Sequence, residues 1–412
     1  MISKSTLEEV ITWQLALTQK PTFQRAILEE LDLDTQNFAY IISGVRRCGK
    51  STLVHQIMHK QPSSLYLNFD TPNLYGFEMN DFRVLDVIID ERKPEWLFFD
   101  EMQVVKGWEI YVRSKLEQGY YVVVTGSNSS MLSRELGTRL TGRHLDYTLY
   151  PFSYSEYLGF TQSEASAYTL KEYLRIGGMP EYVKTGDPRV ITDLISDILY
   201  RDILVRYNLR DEQALKNLFV YLMGNIGNLV SANKLTSAIG VKSSATVGEY
   251  FTHLESSFLV KFVPKFSYSY KSQLLNPRKV YGIDLGLHTV STPSFSQDTG
   301  HRLENEVCLE LIRKGYELFY FSENQHECDF VLCHNNTPVA LVQVCEILTH
   351  ENEQREVSGL VTAMDFFHLD YGLILTLDQD DLVYNGDKEI RILPIWKWLT
   401  ADNNKNHTPI KN

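Results

Sequence analysis

Long apolar runs are missing from this chain: none approaches the ~18–20 residues that a membrane-spanning helix requires. The amino-terminal stretch MISKSTLEEVITWQLALTQK carries Glu8 and Glu9 where a signal peptide has its apolar core. The expectation is a soluble, cytoplasmic protein with no membrane partner. Cysteine is scarce and odd in number, with Cys48, Cys308, Cys328, Cys333 and Cys345 the five among 412 residues. Cys328 and Cys333 have no paired C-x-x-C knuckles around them, which argues against a zinc site and for reduced thiols. Positive charge is also short, 40 Lys and Arg against 52 Asp and Glu, for a net charge of −12. That balance excludes an indiscriminate coat for nucleic acid or anionic membrane, although it leaves room for a local basic face. Internal repeats and low-complexity tracts are absent too.

What is present is ample core material. Hydrophobic residues make up 43% and charged residues 22% of a chain long enough for two or three domains of about 100–200 residues. The first ~35 residues read as helical, with Leu7, Val10, Ile11 and Leu15 spaced for one face. The apolar run NFAYIISG then ends in a glycine turn and gives way to the helical pattern STLVHQIMHK. Further short strands follow at SLYLNF (64–69), WLFFD (96–100), YYVVVTG (120–126) and HLDYTLY (144–150). Apolar strands alternating with helices predict an α/β domain with a parallel sheet covered on both faces.

The texture changes after Pro151. Residues 153–225 read as mostly helical, clearest in LKEYLRIGGMPEYV and ITDLISDILYRDILVRYNL. Residues 228–288 fit a small helix-turn-helix with a wing. Its first helices fall in NLVSANKLTSAIGV, its second in SSATVGEYFTHLESSFLV, and its two strands in KFVPKFSYS and RKVYGIDLG. The last ~110 residues return to mixed α/β, with a helix at LENEVCLELIRKG and strands at ELFYFSE, CDFVLCH and PVALVQVCEI. The expected division is residues 1–152 as the α/β domain with an N-terminal helix, 153–227 as a helical lid or linker, 228–290 as a winged-helix-like domain, 291–400 as a further α/β domain and 401–412 as a polar tail.

The segment Gly44–Ser51, GVRRCGKS, fits G-x-x-x-x-G-K-[ST] with a strand before it and a helix after it. Glycines let the backbone N–H groups wrap phosphates, and the helix N-terminus adds partial positive charge. Gly44, Val45, Arg46, Arg47, Cys48, Gly49, Lys50, Ser51 and Thr52 are therefore the candidate ATP site. Lys50 reaches for the β- and γ-phosphates, and the Ser51 hydroxyl for Mg²⁺. WLFFDEMQ ends a strand in Asp100 and Glu101, which fit a second Mg²⁺ ligand and a general base for water. Two acids capping a strand end is the plainer alternative. A carboxylate directly after the Mg²⁺ aspartate suits a hydrolysing machine, and no guanine-specific N-K-x-D appears, so adenine is favoured.

After the strand VVVTG, Ser127 or Asn128 is placed to sense the γ-phosphate, although a Ser/Asn-rich turn capping a helix looks the same. Arg134, Arg139 and Arg143 follow, and one of them, with Arg143 the choice, is a candidate arginine finger for a neighbouring subunit or domain.

Together GVRRCGKST, LNFD, FFDEMQ, TGSNSSMLS and LTGRHLDYTLYPFSYSEY resemble a widespread family of bacterial and archaeal AAA-like ATPases. YLRIGGMPEYV, LYRDILVRY, YFTHLESSFLVKFV and KVYGIDLGL extend the resemblance over most of the chain. The resemblance implies an ATPase of the additional-strand, catalytic-glutamate type, followed by a winged-helix region and a C-terminal domain of unknown function. That last segment is similar to a restriction-endonuclease-like fold, in which a helix acid precedes D…(D/E)-x-K. Glu304 or Glu306 fits the helix acid and Asp329 the first strand position. Gln343-Val344-Cys345 departs from the pattern, since Gln supplies no anionic Mg²⁺ ligand and Cys no cationic amine. The expectation is a retained fold without cleavage.

Double-stranded DNA is the candidate partner of the winged-helix region. Lys261, Lys265 and Lys271 interleave there with Phe266, Tyr268 and Tyr270. The expected second helix carries Glu249 and Glu255 and no Arg or Lys, so its attraction for phosphates is weak. A protein partner or self-association stays open. The leading reading is a Mg²⁺-dependent ATPase acting as a conformational switch. An ATP-gated, DNA-binding nucleic-acid-processing protein and a nucleotide-stabilised scaffold with negligible turnover are the alternatives.

Overall fold

A computed structural model describes residues 2–19, 22–61, 63–128, 140, 142–292 and 298–401. The chain divides into two units, one formed by residues 1–150 with 256–258 and the other by 151–255 with 259–412.

The first unit opens with helix α1 (Lys4–Thr18), capped by the Ser3 side chain, and a 3-10 turn (Ala26–Glu29). Strands β1 (Ala39–Ser43), β2 (Ser64–Asn68), β3 (Trp96–Asp100), β4 (Tyr121–Gly126) and β5 (His144–Thr148) then alternate with helices α2 (Lys50–Lys60), α3 (Phe82–Arg92) and α4 (Trp108–Glu117). All four pairings are parallel, in the order β2-β3-β4-β1-β5. β4 therefore lies between β1 and β3, with an apolar core on both faces as the unbroken runs AYIIS and WLFFD require. The edge strand β2 is covered by α1. Gln14 there accepts from the Asn68 N–H at 2.8 Å and donates to its carbonyl at 3.0 Å, taking the place of a neighbouring strand.

The second unit begins with helices α5 (Tyr154–Thr161), α6 (Ala167–Ile176), α7 (Pro180–Thr185) and α8 (Pro188–Asp197). The expected long helix through LYRDILVRY changes pitch at residue 198 and runs as a π-helix over Ile198–Val205. After α9 (Glu212–Met223) come β6 (Leu229–Val230), α10 (Ala232–Ile239), α11 (Ser244–Ser256), β7 (Val260–Val263), α12 (Tyr270–Leu275) and β8 (Arg278–Gly282). The three strands form an antiparallel sheet in the order β6-β8-β7. The expected wing strand through residue 269 stops at Val263, and Tyr270–Leu275 is helical with Ser269 as its cap.

Helices α13 (Leu285–Ser291) and α14 (Thr299–Arg313) lead into β9 (Glu317–Glu323), β10 (His326–His334) and β11 (Thr337–Val344). α15 (Glu353–Phe367), β12 (Tyr371–Thr376), β13 (Asp381–Asn385), β14 (Lys388–Pro394) and α16 (Ile395–Thr400) are the last elements among the described residues. The sheet order is β13-β14-β12-β11-β10-β9. β9, β10 and β11 form an antiparallel meander, and β12 is parallel to β11 across α15. Asn305 of α14 bonds both the N–H and the carbonyl of Gly282, at 2.8 and 2.9 Å, which fixes β8 against this helix. Among the described residues no helix is long and apolar enough to cross a membrane.

Candidate functional site

The loop after β1 folds tightly because two glycines permit it. Gly44 has φ +151°, and a Cβ there would lie 2.2 Å from the Leu149 carbonyl oxygen. Gly49 opens α2 from the left-handed region at φ +104°. The loop is braced from below by Arg25, a buried guanidinium that donates to the carbonyls of Cys48 and Tyr150, each at 2.8 Å. Cys48 is packed inside with its thiol 3.3 Å from the Leu149 carbonyl oxygen, and burial pushes that thiol's pKa up. It is a packing residue within the motif. Arg46 reaches Asp70 at 3.9 Å.

Lys50 is 4% exposed at the start of α2. Its ammonium donates to the carbonyls of Gly44 and Val45 at 3.1 and 3.2 Å and stands 3.8 Å from Glu101 Oε1. Ser51 and Thr52 follow, half-buried in the first turn.

The parallel register sets out the acidic end. Asn68 pairs with Asp100, which brings the ends of β2 and β3 level. The Asp100 carboxylate is fully buried. Its Oδ2 accepts from the Tyr66 hydroxyl at 2.7 Å and the Asn68 amide at 3.1 Å, and its Oδ1 from the Thr125 hydroxyl of β4. Burial, and then the neighbouring Asp100 charge, drive the Tyr66 phenol well above its ordinary pKa, so it stays a donor. Glu101 leaves the strand in the left-handed region at φ 51°, and its N–H donates to Thr125 Oγ1 at 2.9 Å. The Gln103 amide donates to Glu101 Oε2 and lies 3.5 Å from Ser127 Oγ.

Sequence reading had singled out nine loop residues and Asp100, Glu101, Ser127, Asn128 and Arg143. Lys50 lies 3.8 Å from Glu101, the residue after Asp100, and Ser127 and Asn128 are buried at the end of β4. Arg143 is not brought to this place. Its carbonyl accepts from the Ala39 N–H, at the end of β1 away from the glycine loop. Arg134 and Arg139 lie outside the described residues. Arg25, Tyr66, Asn68, Gln103 and Thr125 were missed, because each reaches the site through the register or a turn and none belongs to a contiguous motif.

A second acidic cluster lines a cleft of about 950 Å³ in the second unit. Glu304 of α14 and Asp329 of β10 face one another across Lys279 of β8, whose ammonium donates to them at 2.8 and 2.7 Å. The Tyr281 hydroxyl adds a bond to Glu304 at 2.7 Å. Burial would lower the Lys279 pKa, but Asp329 and Glu304 outweigh it and hold the ammonium above the ordinary lysine value. Gln343 accepts from the Asp329 N–H at 3.0 Å and donates to Glu356 at 2.7 Å. Burial, then Glu356 and Asp329, push the Cys345 thiol up to about 12. Of the two helix acids only Glu304 faces Asp329. Glu306 pairs instead with Arg313 at 3.0 Å and accepts from Tyr173. Lys279 and Glu356 were not anticipated from the sequence.

The AAA domain family matches residues 36–158, and a domain of unknown function, DUF8612, matches residues 167–297. An uncharacterised protein of Methanocaldococcus jannaschii is 30% identical over 97% of this chain and 96% of its own length. One from Haemophilus influenzae is 31% identical over 77% of this chain and 84% of its own. The crystal structure of Cdc6p from Pyrobaculum aerophilum aligns with 63% of this chain and 86% of its own at 12% identity, with a TM-score of only 0.27. With near full-length similarity to the archaeal protein and an AAA match lying over the glycine loop and Asp100-Glu101, the chain belongs to the AAA-type P-loop ATPase family that these relatives represent.

Proposed function

We propose that this protein is a Mg²⁺-dependent ATPase that works as a conformational switch. The observation that carries the reading is the convergence of three charged groups: Lys50 stands 3.8 Å from Glu101, beside a deeply buried Asp100, at the mouth of a glycine loop. The residues fit the nucleotide. Gly44 and Gly49 hold backbone that a side chain would strain, and the first turn of α2 offers its N–H groups. Lys50 and the loop N–H groups would hold the phosphates, and Ser51 with Asp100 would hold Mg²⁺. The metal, when bound, offsets charge developing on the transferred phosphoryl group. Glu101 accepts the proton of the attacking water, Asn128 orients it, and Arg143 of a neighbouring copy serves as the finger.

The remaining regions are the effector parts. The order β6, α10, α11, β7, β8 supports a winged-helix reading for residues 228–290, and Glu249 and Glu255 on α11 favour a protein partner over DNA. The order α14, β9, β10, β11, α15, β12 supports the restriction-endonuclease-like reading of the C-terminal segment. Lys279 bonded to both candidate acids supports loss of cleavage there.

Steady-state ATP hydrolysis with Mg²⁺ tests the proposal, wild type beside Glu101→Gln, with and without duplex DNA. The expected loss is about 10²–10⁴ in kcat, the usual contribution of a general base, while ATP binding is kept. Strong stimulation by DNA would favour the nucleic-acid-processing alternative. Saturable Mg²⁺-ATP binding without turnover would favour a scaffold.

A further inference from the structure

We infer that Gln103 is a positioning residue for Glu101, an inference that rests on the reading of Glu101 as the base. The chain turns sharply here because Glu101 occupies the left-handed region, which for a residue other than glycine is costly and persists only where surroundings fix it. Two bonds fix it. The Glu101 N–H donates to Thr125 Oγ1 at 2.9 Å and its carbonyl accepts from the Val104 N–H at 3.2 Å, and the 3-10 turn Met102–Val104 follows directly. This reversal brings the Gln103 side chain, two residues on, back over the Glu101 carboxylate.

The contact is specific in its polarity. A carboxylate accepts only, so the amide must present its N–H, and Gln103 Nε2 donates to Glu101 Oε2 while Oε1 of the same carboxylate faces Lys50. The glutamate thus has a neutral donor bonded to one oxygen and an ammonium 3.8 Å from the other. Gln103 Nε2 also lies 3.5 Å from Ser127 Oγ, so the amide ties the base to the end of β4. The third feature is an orphan. Gln103 Oε1 is buried and accepts no hydrogen bond among the described residues. A buried acceptor left unmade is costly, which makes its retention informative. Gln103 therefore sets the rotamer of the base.

Full-length Gln103→Met, equal in length but without the amide, tests this by steady-state hydrolysis alone and combined with Glu101→Gln. Misplacement of a base by about 1 Å costs on the order of 100-fold. The expected result is a fall in kcat of about 10–100-fold, with KM for Mg²⁺-ATP within twofold of wild type. In the Glu101→Gln background the same change should add nothing, because the two act through one group. Wild-type kcat in Gln103→Met overturns the positioning role, and so does a full multiplicative loss in the double variant. A raised KM with a lowered melting temperature at unchanged kcat also overturns it, since that marks a merely structural glutamine. Turnover intact in Glu101→Gln would instead overturn the base itself, so the two failures are told apart.

Discussion

Lys50 and Lys279 are both buried lysines set beside acidic side chains, and they hold those acids on different terms. Lys50 gives its hydrogen bonds to two backbone carbonyls and stands 3.8 Å from one oxygen of Glu101, beyond hydrogen-bonding distance. Lys279 bonds two carboxylates at once, at 2.8 and 2.7 Å, and Tyr281 completes the set around Glu304. An ammonium on neutral carbonyls can exchange them for phosphate oxygens and gain charge complementarity. An ammonium already shared by two anions has nothing to gain from a phosphate and much to lose. The same residue types thus make a site that can open to a ligand in one unit and a closed structural triad in the other.

The largest effect that would sharpen this contrast is expected from Lys279→Met. Breaking a buried pair by removing one partner costs about 3–5 kcal/mol, because an uncompensated charge is left behind. The sign of the pH dependence follows from the acids. Burial and then Asp329 already raise the Glu304 pKa, and the opposing effect of Lys279 would be gone. A carboxyl raised above its unfolded value stabilises below that value and loses the contribution as pH rises through the folded one. The variant should therefore recover more stability than wild type as pH falls from 7 towards 5, measured by urea unfolding. Mg²⁺ should leave wild-type unfolding at this unit unchanged. Metal-dependent DNA cleavage by wild type that vanishes in Asp329→Ala would break the contrast outright.

The next effect is on the other lysine. A ligand at 100 times its Kd stabilises the folded state by about 2.7 kcal/mol. Mg²⁺-ATP should confer an increment of that order on unfolding of the first unit, and Lys50→Ala should remove it. The Lys279 variants should keep it at any pH where they fold. Protection by Mg²⁺-ATP that persists in Lys50→Ala would mean that this lysine is as structural as the other.

These two centres also differ in how far the sequence discloses them. Gly44 to Ser51 and Asp100-Glu101 are contiguous, because a loop and a strand end do their work with neighbouring residues, and spacing alone exposes them. Tyr66, Asn68 and Thr125 reach Asp100 only through the register of β2, β3 and β4, which no local pattern specifies. Lys279 lies 25 and 50 residues from its two partners, on a strand of a different sheet. The strand at RKVYG was legible; the direction of its lysine was not. Gln343 and Cys345 could be read as departures from a nuclease pattern, but the cation that takes over the acids could not. The strand expected through residue 269 ended early for a local reason. Ser269 caps a helix at Tyr270–Leu275, a turn preference that the alternating Lys and aromatic residues concealed.

The smallest effect concerns Tyr66, and it separates a carboxylate held by neutral donors from one held by a cation. Tyr66 gives Asp100 one hydrogen bond at 2.7 Å, while Asn68 and Thr125 give two more. A hydrogen bond to a charged group contributes about 1.5–3 kcal/mol, and with two donors remaining Tyr66→Phe should cost near the lower figure. That is less than Lys279→Met, although both changes strip a partner from a buried acid, because no net charge is left unbalanced. If Asp100 is the Mg²⁺ ligand proposed, the lost bond leaves its carboxylate freer to turn. The Mg²⁺ concentration for half-maximal turnover should then rise a few-fold while kcat at saturating Mg²⁺ stays within about twofold, in keeping with the modest effects of altering the residues behind a metal ligand. A collapse of kcat at every Mg²⁺ concentration would place Tyr66 in the chemistry itself. Equal destabilisation by Tyr66→Phe and Lys279→Met would remove the distinction between the two centres.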